Sequence, residues 1–183
     1  EEEWNQHRTD VNNLTRYVES RWRIDLTWQV VDLRAATVDD LMQSPVLYFC
    51  GSKSPLPGSD AGQDDVAKKL RGYLDRGGFL FAEAYCAGEE FDRGFRQLIA
   101  QVFPEEEYRL RLLPPEHPIW RAEERVDPDY LRPIYGIDFG CRTSVVYCPP
   151  AVPGKLQPSL SCLWELSRAG RENEYPKPVA DQV

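Results

Sequence analysis

Two short runs decide most of what this chain can fold into. PVLYFCG (residues 45–51) is continuously apolar over strand length, and FLFAEA (residues 79–84) nearly so. Each leads into a segment with helical spacing. Such a run suits a central parallel strand buried on both faces, and PVLYFCG is expected to be one. In residues 63–76, QDDVAKKLRGYLDR, the core-facing side chains are Val66, Leu70, Tyr73 and Leu74. Gly77 and Gly78 end that helix, since glycine takes the left-handed position after a helix at little cost. Phe91, Phe95, Leu98, Ile99 and Val102 mark the next helix, which stops before Pro104.

The flanks extend the alternation. Val11, Leu14, Tyr17, Val18 and Trp22 predict a helix over residues 10–21. DLTWQVVDL (25–33) alternates at Leu26, Trp28 and Val30, and predicts a strand. TVDDLMQ (37–43) reads as a short helix, capped by Thr37 with Asp40 three residues on. YRLRLL (108–113) reads as a half-exposed strand. IYGIDF (134–139) and TSVVYC (143–148) read as a hairpin or adjacent strand pair. Helices alternating with strands imply an α/β sandwich with a mainly parallel sheet. The strand-rich second half adds an antiparallel pair at one edge. We expect one domain over residues 1–168 and a polar, poorly ordered tail over 169–183. A length of 183 residues suits a single domain.

Charge and cysteine content exclude several classes. The chain has 22 Lys and Arg against 30 Asp and Glu, a net charge of −8. An acidic surface repels phosphate backbones, so nucleic acid is not an expected partner. No run approaches the ~20 apolar residues that cross a bilayer, and EEEWNQHRTD is not a signal peptide. The five cysteines, Cys50, Cys86, Cys141, Cys148 and Cys162, are odd in number and form no C-x-x-C pair, so no zinc ribbon or thioredoxin motif is present. Cys50 and Cys148 end apolar runs, where cysteine behaves as a small buried hydrophobe. No cofactor and no metal site are expected.

PVLYFCG, LRGYLDRGGFLFAEA, FDRGFRQLIAQVFP, HPIW and GIDFGCRTSVVYCP, in that order and spacing, resemble the DUF4159 family of bacterial domains of unknown function. The resemblance runs from about Trp4 to Glu165. It implies kinship with class I glutamine amidotransferase-like and ThuA-like domains. It also implies a flavodoxin-like three-layer sandwich and residence in the cell envelope, on the periplasmic side, as part of a larger protein. The sequence departs from the family pattern twice. Members begin with a further strand, whereas only three glutamates precede Trp4, so that strand is missing, disordered or cut off. Members also carry aspartates after the GGFL strand, where Glu83 is the only acid here.

In an open α/β sheet, ligands bind beyond the carboxyl ends of the strands. Cys86 stands between a strand end and a helix start, where amidotransferase-like domains hold a nucleophile and backbone N–H groups stabilise a thiolate and an oxyanion. The usual elbow has glycine on both sides. Gly88 keeps the second, but Ala84 replaces the first. The base would be His117, which the H-x-E pattern does not follow. Glu83, in or just beyond an apolar strand, must be paired, coordinated or at the mouth of the crevice; Arg93 and Arg96 are its candidate partners. Asp92 and Arg96 have the i, i+4 spacing of a helical ion pair, and Arg93 is placed to bind an anion. Pro118 holds His117 extended.

Two readings stand. The first is a non-catalytic module binding a small ligand or protein partner through Gly51, Glu83, Arg93, Arg96 and His117. The second is a cysteine-dependent hydrolase using Cys86, with His117 and Glu83 in support. A metal site of Glu83, His117 and a neighbouring carboxylate is the weakest alternative.

Overall fold

The computed structural model describes residues 7, 9–56, 58–85, 88–122 and 132–150. The chain divides into two compact units. One is Glu1–Val30, Pro114–Arg132 and Ala151–Val183; the other is Val31–Leu113 and Pro133–Pro150.

In the first unit, helix α1 spans Asp10–Trp22. It ends because Arg23 turns left-handed at φ 54° and bonds its N–H to the Glu19 carbonyl. The helix is where its periodicity put it, but its buried positions are Asp10 and Asn13. Tyr17 and Trp22, two of the residues that carry its apolar spacing, are 39% and 62% exposed. The strand expected over residues 25–33 does not form. Trp28 and Val30 remain exposed, and the Leu26 N–H bonds to the Glu19 carboxylate at 3.0 Å. Alternation sets which face each side chain takes, but a strand also needs a neighbouring backbone, and no described segment supplies one. Pro118–Arg121 forms a turn of 3₁₀-helix with His117 as its N-cap. Trp120 is buried there, its indole N–H donating to the Pro114 carbonyl at 3.0 Å.

The second unit holds helix α2 (Val38–Leu41), strand β1 (Val46–Gly51), helix α3 (Asp60–Asp75), strand β2 (Phe79–Ala84), helix α4 (Glu89–Val102) and strands β3 (Arg111–Leu112), β4 (Tyr135–Phe139) and β5 (Arg142–Cys148). The sheet runs in the order β1-β2-β5-β4-β3. β1, β2 and β5 are parallel neighbours, while β4 is antiparallel to both β5 and β3. Four of the five strands therefore point one way and only β4 is reversed. The antiparallel extension expected from the second half is present as the β4–β5 hairpin with short β3 outside it. One correction concerns β1. Expected in the centre, it stands at the edge of the described sheet, with Val46 49% exposed. A continuous apolar run reports how much of a strand is covered, not what covers it; here β2 lies on one side only.

Local chemistry explains the element ends. Thr37 and Asp40 form the expected capping box at α2. The Ser59 hydroxyl accepts the Gly62 N–H and starts α3. Gly77 ends it at φ 95°, and the Gly78 N–H bonds back to the Tyr73 carbonyl at 2.9 Å. Arg142 then holds the carbonyls of Gly77 and Gly78 from the neighbouring hairpin. The core gathers Val66, Leu70 and Leu74 of α3, Phe91, Phe95 and Leu98 of α4, and Leu80, Ala82, Ala84, Val145 and Tyr147 of the sheet. Those strand residues share one face by parity, so α3 and α4 cover the same side of the sheet.

Arg71 ties α3 to the end of α4. Its guanidinium bonds Asp75 at 3.1 Å, Glu105 at 3.0 Å and the Val102 carbonyl at 3.3 Å. It also lies over the rings of Phe103 and Phe139. The Arg71 hydrogen bond holds the Glu105 carboxyl below its ordinary value of 4.5. A carboxyl depressed in the folded state stabilises the fold above its unfolded pKa, and that contribution is lost as pH falls through the lower folded value. Glu105→Gln is therefore expected to leave a shallower loss of stability on the acid side of 4.5 than the parent shows. Urea midpoints measured across that range would show parallel curves if the pair contributed nothing.

Candidate functional site

The carboxyl end of β2 is the most chemically loaded part of the described fold. Glu83 lies there with 0% exposure. Its register partners are Cys50 on β1 and Cys148 on β5, so one rung reads Cys50–Glu83–Cys148. Register partners project to the same face, as do residues two apart on a strand. That places Tyr48, Cys50, Phe81, Glu83, Tyr85, Val146 and Cys148 on the side away from α3 and α4. Two contacts agree. The Tyr48 hydroxyl donates to Glu83 Oε2 at 3.2 Å, and Cys50 Sγ lies 2.7 Å from the Tyr85 hydroxyl. Cys50 and Cys148 carry thiols. The group is thus a buried carboxyl among two phenols and two thiols, all from three parallel strands.

The Gly88 N–H bonds to the Tyr85 carbonyl at 2.6 Å, and the Tyr85 N–H to the Gly51 carbonyl at 2.8 Å. A Cβ at position 88 would meet the Tyr85 carbonyl oxygen at 2.8 Å and the Cβ of Ala84 at 3.3 Å. Glycine at 88 therefore makes room for the methyl group of Ala84. Cys86 and Ala87 lie outside the described residues. Gly51 is buried, and a Cβ there would touch the Phe91 ring at 3.2 Å. Its visible role is to let α4 approach β1.

The expected pairing of Glu83 with arginines from α4 is corrected. Arg96 Nε bonds Asp92 Oδ1 at 2.9 Å, as the i, i+4 spacing predicted. The same oxygen accepts the Tyr147 hydroxyl at 2.7 Å. Tyr147 is a core residue on the helix side of the sheet, so parity puts Arg96 and Glu83 on opposite faces. Burial and the Asp92 hydrogen bond push the Tyr147 hydroxyl far above its ordinary range, so it stays a donor at any working pH. Arg93 is exposed on α4. His117 belongs to the first unit, where its Nδ1 accepts the Ile119 N–H at 3.3 Å in the cap.

Sequence reasoning found Glu83 but missed Tyr48, Tyr85 and Tyr147. The available signal was parity: Tyr48 and Cys50, like Glu83 and Tyr85, are two apart. It becomes usable only once the register Cys50↔Glu83 is known. Among the described residues no three His, Cys, Asp or Glu side chains are arranged to hold a metal ion, and no helix is long and apolar enough to cross a membrane.

No curated protein matches the chain. The profile of the family described as "Domain of unknown function (DUF4159)" matches residues 1–148, ending on the last residue of β5. Since that match covers most of the 183 residues, the chain belongs to the DUF4159 family.

Proposed function

We propose that this domain is a non-catalytic, amidotransferase-like binding module of a bacterial envelope protein. In this reading its sheet is the middle layer of a flavodoxin-like sandwich. A small ligand or partner segment binds at the carboxyl ends of β1, β2 and β5. The observation that carries the reading is the complete burial of Glu83 at the end of a strand with parallel neighbours on both sides. Removing a carboxyl from water is costly, and groups buried in that way cluster at functional sites. Glu83 would orient the ligand through its carboxyl, with Gly51 and Arg93 as outer contacts. A ligand-observed NMR screen of amino acids, nucleotides and sugars tests this. At least one compound should bind the parent and lose binding with Glu83→Gln at unchanged fold. Hits that bind both proteins equally would remove Glu83 from the site.

A second reading is favoured by the hydrogen bond between Gly88 and Tyr85, the described residues on either side of Cys86 in the sequence. Here Cys86 is the nucleophile of a hydrolase, with Glu83 in support. Iodoacetamide labelling at neutral pH, with Cys86→Ser as background, separates the two. An activated thiolate reacts well ahead of a free cysteine. The binding-module reading expects no such excess.

A further inference from the structure

Arg96 is held in a manner that a simple helical ion pair does not require. Its Nε bonds Asp92 Oδ1 at 2.9 Å. Its guanidinium carbon lies 4.8 Å from the centre of the Tyr135 ring and 5.5 Å from that of Tyr147. These two tyrosines are register partners on β4 and β5, so their rings form adjoining walls on the helix side of the sheet. Asp92 is itself fixed by the Tyr147 hydroxyl at 2.7 Å. Contacts from one helix and two strands thus hold the guanidinium in place. The terminal nitrogens Nη1 and Nη2 have no acceptor among the described residues, and neither does the hydroxyl of Tyr135. The side chain is 39% exposed.

We propose that the Nη1–Nη2 edge of Arg96, with the Tyr135 hydroxyl as a further donor, is a recognition site for an oxyanion presenting two acceptor oxygens, a carboxylate or a phosphate monoester. The guanidinium fork matches that geometry bidentately, and a fork already fixed loses less freedom on binding than a mobile one. Asp92 neutralises the charge of Arg96, and the chain as a whole carries −8. Affinity must therefore come from directed hydrogen bonds rather than from long-range attraction, which places it in the millimolar range and makes it selective for oxyanions over chloride. The site faces away from Glu83 and does not depend on the binding role proposed there.

The test follows the Arg96 Nε–Hε signal and the Tyr135 amide in the whole chain by ¹H–¹⁵N NMR. Inorganic phosphate and acetate are titrated separately at constant ionic strength with chloride. Saturable shifts at these two positions are expected. Saturation by phosphate alone identifies the phosphate class, and by acetate the carboxylate class. Arg96→Lys, which keeps the charge but loses the fork, should weaken binding about tenfold. Tyr135→Phe, which keeps the ring wall, should weaken it by a smaller factor. The proposal is overturned if neither anion gives a saturable shift by about 50 mM, well above a millimolar dissociation constant. Equal binding by Arg96→Lys would also overturn it.

Discussion

Phe95→Ala is expected to cost about 4 kcal/mol of folding free energy, the middle of the range for emptying a fully buried aromatic site. Phe95 has 0% exposure. Its ring stacks on Phe91 at 5.8 Å with planes 7° apart, and its centre lies 4.5 Å from that of Tyr147. Phe49 reaches it edge-on at 6.4 Å. The side chain thus joins α4 to two strands, and no neighbour can fill the void without leaving its own contacts. The loss corresponds to a fall in Tm of roughly 8–16 °C for a chain of this size. Urea unfolding should show a lower midpoint at unchanged slope. Phe95→Leu, which keeps most of the volume, should lose only about 1–2 kcal/mol. A loss below about 1 kcal/mol for the alanine variant would mean that this aromatic layer does not pack as described.

Gly78→Ala is expected to cost about 3 kcal/mol although it adds a single methyl group. A Cβ at this position would run into the ring of Tyr73. Tyr73 has 0% exposure and cannot swing aside. Its hydroxyl lies 3.1 Å from the Ser44 carbonyl and accepts the Phe79 N–H at 3.2 Å. Moving the ring therefore breaks hydrogen bonds as well as packing, each worth about 1 kcal/mol. Gly58→Ala is the control. Nothing lies within 4 Å of a Cβ there, and its effect should stay within about 0.5 kcal/mol. Equal urea midpoints for the two variants would show that the Gly78–Tyr73 contact is not needed. The same contact explains why two glycines stand in a row. Gly77 serves the left-handed turn at φ 95°, and Gly78 serves the ring.

The sequence carried the core elements of the second unit because their signals are local. The apolar spacing of α3 and α4, the capping pair of Thr37 and Asp40, Gly77 and Pro104 all act within a few residues of the structure they set. The strand expected over residues 25–33 and the place of β1 were misread for one reason. Both depend on which backbone lies alongside, and alternation does not record that. The site was legible in a similarly partial way. Glu83 stood out because a carboxyl in an apolar strand is costly wherever it lies. Its companions did not, because Tyr48, Cys50 and Cys148 reach it across the sheet, from positions far away in the chain. Arg96 was paired correctly with Asp92, four residues away, and assigned to the wrong face. The helix spacing was local, whereas the parity of β2 against α4 was not.

The position of Glu83 also works as a key for strand alignment. Along β2 the residues facing the helices are Leu80, Ala82 and Ala84, and their neighbours face the other way. Sliding the strand by one residue exchanges the two sets. A purely aliphatic β2 would tolerate that exchange at modest cost. With Glu83 in place, the slipped strand would put a carboxyl at the position of one alanine on the helix face, and Phe81 or Tyr85 at the small position of the other. The same side chain that marks the candidate site therefore rejects the nearest wrong threading of its own strand. A deletion of one residue inside β2 would have no compensated alternative to settle into, whereas one in the long loop between β1 and α3 would leave the alignment untouched.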